Sequence, residues 1–84
     1  MGAGRPADAR GTPSVGRIVM LFIGQSYGFI RLANRREVFF HRSDLRNGVA
    51  FNRFAVGDDV TFELLDDRVS GPRAVHVEPQ QPRR

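Results

Sequence analysis

Apolar residues in this chain fall into short runs, several of which alternate with polar residues. Ile18–Ile23 is apolar and partly β-branched. Tyr27–Leu32 is aromatic, with Gly24-Gln25-Ser26 before it and Ala33-Asn34 after it. Glu37–His41 contains Val38, Phe39 and Phe40. Val60–Leu65 alternates, with Val60, Phe62 and Leu64 on one side and Thr61 and Glu63 on the other. Arg73–Glu78 alternates too, with Val75 and Val77 facing one way. Gly57-Asp58-Asp59 and Ser70-Gly71-Pro72 supply turns. No window sustains a 3.6-residue period, and no internal repeat is present. The pattern predicts a small all-β domain of five short strands over residues 15–78, with a long irregular link from Arg42 to Val56. Closing five antiparallel strands into a barrel is the usual way to remove exposed edges at this size. Residues 1–14 carry no strand signal and read as a disordered leader; residues 79–84, Pro-Gln-Gln-Pro-Arg-Arg, read as a frayed tail.

Side chains two apart on a strand share a face. Tyr27 and Phe29 therefore face one way, and Gly28 and Ile30 the other. Phe39 and His41 share a face, opposite Val38 and Phe40. If the second and third strands pair, one face carries Tyr27, Phe29, Phe39 and His41, while Ile30, Val38 and Phe40 supply a core. Two readings remain open. The first set is a solvent-facing platform on which bases can stack, or all these rings are core. Strict alternation favours the platform.

Composition narrows the classes. With no cysteine, disulfides, thiolate metal sites and thiol catalysis are excluded. Two histidines, His41 and His76, make a histidine metal site unexpected, and no metal or cofactor is expected. No apolar run approaches the roughly 18 residues of a membrane span, and the first residues lack the apolar stretch of a secretory signal. The expected setting is the cytoplasm, with the nucleus as the alternative. No phosphate-binding glycine loop and no nucleophile with an evident base is present, so an enzyme is not expected.

All 13 basic side chains are arginine, and the net charge is +4. It is unevenly spread: residues 31–56 carry +4 and residues 57–78 carry −4. A basic region on a domain otherwise near neutral points to a polyanion, although ordinary charge scatter gives the same count. Arg35 and Arg36 are either a phosphate clamp or a solvated loop tip. Arg31 has the parity of Tyr27 and Phe29, which favours contact with a ligand. Asp44 is close enough in sequence to pair with His41, but capping the turn at Ser43 is the better reading. His76 is expected to be exposed, opposite Val75 and Val77.

Four segments resemble one family in order. Ser26-Tyr27-Gly28-Phe29-Ile30 is similar to the first ribonucleoprotein motif of cold-shock domains, Gly-Phe-Gly-Phe-Ile, and Val38-Phe39-Phe40-His41 to their second, Val-Phe-Val-His. Val56-Gly57-Asp58-Asp59-Val60-Thr61-Phe62 resembles Glu-Gly-Gln-x-Val-x-Phe, and Gly71-Pro72-Arg73-Ala74-Val75-His76-Val77 resembles the closing Gly-Pro-x-Ala-x-x-Val. Ser-Tyr-Gly-Phe-Ile and Phe-Phe-His look closest to the Unr-type cold-shock domains of eukaryotic translation regulators.

The resemblance implies a five-stranded oligonucleotide-binding barrel. Its implied partner is single-stranded RNA first and single-stranded DNA second, bound by a monomer, with a role in post-transcriptional or translational regulation. Tyr27, Phe29, Phe39 and His41 would stack on bases, and Phe51 would flank one from the long loop. Where the family offers Lys-Trp-Phe-Asn, this chain has Val19-Met20-Leu21-Phe22, so Met20 replaces a tryptophan and weaker stacking is expected. Arg42 stands where an aromatic often follows the histidine, and its guanidinium can stack and pair with phosphate. The alternative is a barrel that has lost strong RNA binding and serves as a protein-interaction module. The missing first-strand aromatics and the acidic final third favour that alternative.

Overall fold

The computed structural model describes residues 11–67 and 71–80. Five strands form a closed barrel: β1 (Thr12–Phe22), β2 (Tyr27–Arg31), β3 (Glu37–His41), β4 (Asp59–Asp67) and β5 (Gly71–Pro79). The remaining regular elements are short 3-10 turns at Ile23–Gln25, Arg42–Asp44 and Phe51–Arg53. β1 pairs with β2 and β4, β2 with β3, and β4 with β5, all antiparallel. The last seam, β3 to β5, is parallel, with Phe39 opposite Arg73. An all-antiparallel barrel is therefore corrected to a mixed one. The reason is parity: an odd number of strands cannot alternate direction all the way round a closed ring. The link from Arg42 to Asp58 lets β4 return beside β1, which brings β5 alongside β3.

The core is Ile18, Ile30, Val38, Phe40, Phe54, Val60, Phe62, Ala74 and Val77. Ile30, Val38 and Phe40 are fully buried, as alternation on β2 and β3 requires. Removing a side chain such as Phe40 from water contributes about 1.5–3 kcal/mol. Gly28 is fixed by packing rather than by a turn. A Cβ there would sit 2.5 Å from the Met20 carbonyl oxygen and 3.0 Å from Cε1 of Phe40. Only a bare backbone lets β2 approach β1 so closely at that point.

Several boundaries differ from the sequence expectation. β1 starts at Thr12, three residues inside the expected leader, because Thr12–Arg17 pairs with β4. Proline fits at position 13 because this half of β1 has no partner strand on its β2 side, where pairing starts at Arg17. Ile23 leaves the strand for a 3-10 turn and is exposed. Residues 1–10 and 81–84 of the expected leader and tail lie outside the described residues, as does Ser70 of the second expected turn.

Two irregularities change which face a residue occupies. In β1 the register shifts between Ile18 and Met20, so Ile18 pairs with Ile30 and Met20 with Phe29. Ile18 is buried and Met20, two residues on, is exposed. In β5 the register shifts opposite Thr61–Glu63, and His76 adopts φ +55°. The inward residues become Ala74 and Val77, while Val75 is only half-buried. The expectation that Val75 and Val77 share a core face is thus corrected: a bulge inserts one residue and resets the alternation.

Candidate functional site

β2 and β3 pair with Tyr27 opposite His41, Phe29 opposite Phe39 and Arg31 opposite Glu37. With Gly28, Ile30, Val38 and Phe40 inside, the alternate residues occupy the outer face together. Tyr27 and Phe39 have ring centroids 5.5 Å apart, Phe29 and Phe39 6.0 Å, and Tyr27 and Phe29 6.1 Å. These tilted and edge-to-face contacts let each ring's positive edge meet a neighbour's negative face. The rings are half-buried because they pack on one another, and no ring is swallowed by the core.

β1 adds a fourth ring that the sequence comparison passed over. Phe22 pairs in register with Tyr27 and stacks on it at 4.8 Å with an interplanar angle of 29°. The expectation that the first strand brings no aromatic to this face is corrected. The β1 bulge turns Met20 and Phe22 outward while keeping Ile18 and Leu21 on the core side. Met20 lies opposite Phe29 and is 43% exposed, so it extends the apolar face beside that ring.

His41 borders the rings at the end of β3. Its Nδ1 accepts the Ser43 N–H at 3.1 Å, and Ser43 Oγ lies 3.0 Å from the same nitrogen. With Nδ1 accepting, the neutral ring carries its proton on Nε2. Asp44 does not contact the imidazole. Its carboxylate accepts the His41 backbone N–H at 2.9 Å, closing a capping box around the Arg42–Asp44 turn. The turn-capping reading of Asp44 is the one realised.

Asp44 has a second partner that sequence reasoning missed. Arg73 Nη2 on β5 donates to both carboxylate oxygens, at 2.8 and 2.7 Å. The Arg73 Cζ lies 5.9 Å from the Phe39 ring centroid. The residues are 29 apart in sequence, and only the parallel β3–β5 seam brings them together. No local signal distinguishes Arg73 from the other arginines.

The remaining expected residues are placed as follows. Arg31 is exposed and forms an ion pair with Glu37 at 2.7 Å, so its charge is partly offset. Arg42 is exposed and lines a shallow groove with Ile23, Ser26, Leu45 and Phe51. Phe51 sits apart from the ring cluster. It is half-buried against the core, 6.0 Å from the Phe40 ring, with one side in that groove. Arg35, with φ +72°, and Arg36 are exposed at the β2–β3 turn. His76 is exposed, 3.5 Å from Glu63.

Among the described residues no cluster of three or more metal-ligating side chains occurs, and no helix is long and apolar enough to cross a membrane.

A half-exposed aromatic face on three strands of a small barrel can take flat, unpaired rings by stacking. Residues 16–80 match the family described as the 'Cold-shock' DNA-binding domain. The chain belongs to the cold-shock domain family. No individual curated protein matches it. The cold-shock domain spans all five strands, and the family binds single-stranded nucleic acids. Membership makes this a nucleic-acid-binding domain in the general sense, on a barrel of the oligonucleotide-binding type.

Proposed function

We propose that this cold-shock domain binds single-stranded RNA, in preference to DNA, by stacking bases on Tyr27, Phe29, Phe39 and Phe22. The observation that carries the reading is the outward cluster of four rings across β1, β2 and β3, each in contact with another. Each base stacked on such a ring contributes about 1–3 kcal/mol, largely whatever its identity. Met20 adds an apolar edge beside Phe29. His41 offers its Nε2–H as a donor at the Tyr27 end. Arg42, Arg35 and Arg36 supply phosphate contacts, with Phe51 beside Arg42 for a base that leaves the rings. Arg31 contributes less, because Glu37 already holds it. The preference for RNA, and a role in translational regulation, rest on the likeness of Ser26–Ile30 and Val38–His41 to Unr-type domains.

Fluorescence anisotropy with labelled single strands about eight nucleotides long, competed with duplex of the same sequence, tests this. Single strands should bind with RNA ahead of DNA, duplex should compete poorly, and Phe29→Ala should weaken binding. Equal competition by duplex would replace stacking with plain phosphate attraction. A folded protein that binds no strand would leave the barrel as a protein-interaction module.

A further inference from the structure

Resting on the base-stacking reading above, we propose that Arg73, held by Asp44, selects the base that stacks on Phe39, favouring bases with an exocyclic carbonyl over bases with an exocyclic amino group. Four observations converge on this pair. Asp44 is about nine-tenths buried, and both its oxygens are engaged by Arg73. The same carboxylate also accepts the His41 N–H, which ties the arrangement to the end of β3. Arg73 is opposite Phe39 in register, with its guanidinium beside that ring. Its Nε is buried with no partner, so the head cannot swing freely into solvent. The side chain as a whole is 37% exposed, which leaves part of the head accessible from the platform side.

This differs from the other arginine pairs. Arg17–Asp59 and Arg31–Glu37 join two exposed side chains that water and salt can separate. Asp44 largely offsets the Arg73 charge, so the residue adds little attraction for phosphate. It adds a fixed set of donors with no acceptor. A uracil, thymine or guanine beside Phe39 can present O4 or O6 to those donors. A cytosine or adenine presents an amino group there, and donor then faces donor. Arg73 thus acts on which base binds, whereas the rings act on whether a base binds.

The test compares single-stranded oligomers of uridine and of cytidine, about eight nucleotides long, by anisotropy at two salt concentrations. The proteins are wild type, Arg73→Gln, Arg73→Lys and Asp44→Asn, each checked for fold by circular dichroism. Wild type should favour the uridine strand by roughly five-fold or more, the lower end for one base contact. Arg73→Gln should lose that preference and keep the wild-type salt slope. Arg73→Lys keeps a charge opposite Asp44 but loses the planar fork, and Asp44→Asn frees the fork. Both should lose the preference too, so the test survives if one variant fails to fold.

Binding without a uridine preference in wild type, or with the preference intact in folded variants, overturns the proposal and leaves the stacking reading standing. An equal loss on both strands with a shallower salt slope makes Arg73 a phosphate contact, which also overturns it. Failure of wild type to bind either strand overturns the stacking reading and this inference together.

Discussion

The ring of Phe22 lies 4.8 Å from that of Tyr27 and nearly parallel to it, joining the last residue of β1 to the first of β2. The contact extends the β2–β3 aromatic face onto a third strand. It also gives the chain an aromatic on β1, although Met20 occupies the position where the family has tryptophan. Phe22→Ala should therefore weaken single-strand binding by about 1–3 kcal/mol, the size expected for a stacking residue. Anisotropy titration checks this, and an unchanged affinity would remove Phe22 from the site.

Gly28 makes the platform and the barrel depend on each other. Gly28→Ala forces a methyl against the Met20 carbonyl oxygen and the Phe40 ring. Overpacking of this kind destabilises by about 1–3 kcal/mol. Chemical denaturation should show the loss as a lower midpoint. An unshifted midpoint would mean that β1 and β2 separate more easily than their packing implies.

Phe40 is the largest fully buried side chain and meets the rings of Phe51 and Phe54. Phe40→Ala should destabilise by about 3–5 kcal/mol. A domain of this size has little stability to spare, so circular dichroism should show a largely unfolded protein. A folded variant with a near-normal melting temperature would contradict the assigned core.

Asp44 caps His41 and holds Arg73. Asp44→Ala removes both contacts and should destabilise by about 1–3 kcal/mol. Asp44→Asn keeps an acceptor for the His41 N–H, so it should lose less. Denaturation midpoints of the two variants give the comparison, and equal losses would assign the whole effect to the ion pair.

Arg42 and Arg31 should separate in salt dependence. Each phosphate contact on a single strand steepens the log–log salt slope by about 0.7. Arg42→Ala should flatten the slope by about that amount, and Arg31→Ala by less, because Glu37 already offsets its charge. Affinities measured over a range of salt concentrations decide it. A larger change for Arg31 would reverse the order of the two residues.

Strand number, the β2–β3 pairing and the shared face of Tyr27, Phe29, Phe39 and His41 were legible because period-two alternation is local and unbroken there. Alternation misleads where a bulge intervenes. It reads Ile18, Met20 and Phe22 as one face, yet the β1 irregularity puts Ile18 inside and the other two outside. The same cause separates Val75 from Val77 at the His76 bulge. Arg73 was illegible for a different reason. Its partners, Asp44 and Phe39, are met only across the parallel seam, and a contact set by barrel closure leaves no spacing in the chain. Phe51 was read by its loop position alone, and its half-buried packing on Phe40 depends on how that loop folds back.

The composition offers a direct test of the central claim. Tyr27 is the only tyrosine and the chain has no tryptophan, so intrinsic fluorescence reports from within the ring cluster. Titrating single-stranded RNA at two salt concentrations, with wild type and Phe29→Ala, measures stacking at that site. Saturable quenching of Tyr27 that weakens with salt and is strongly reduced in Phe29→Ala is the predicted result. Unquenched Tyr27 fluorescence, from a folded protein with RNA at tens of micromolar, would contradict the account.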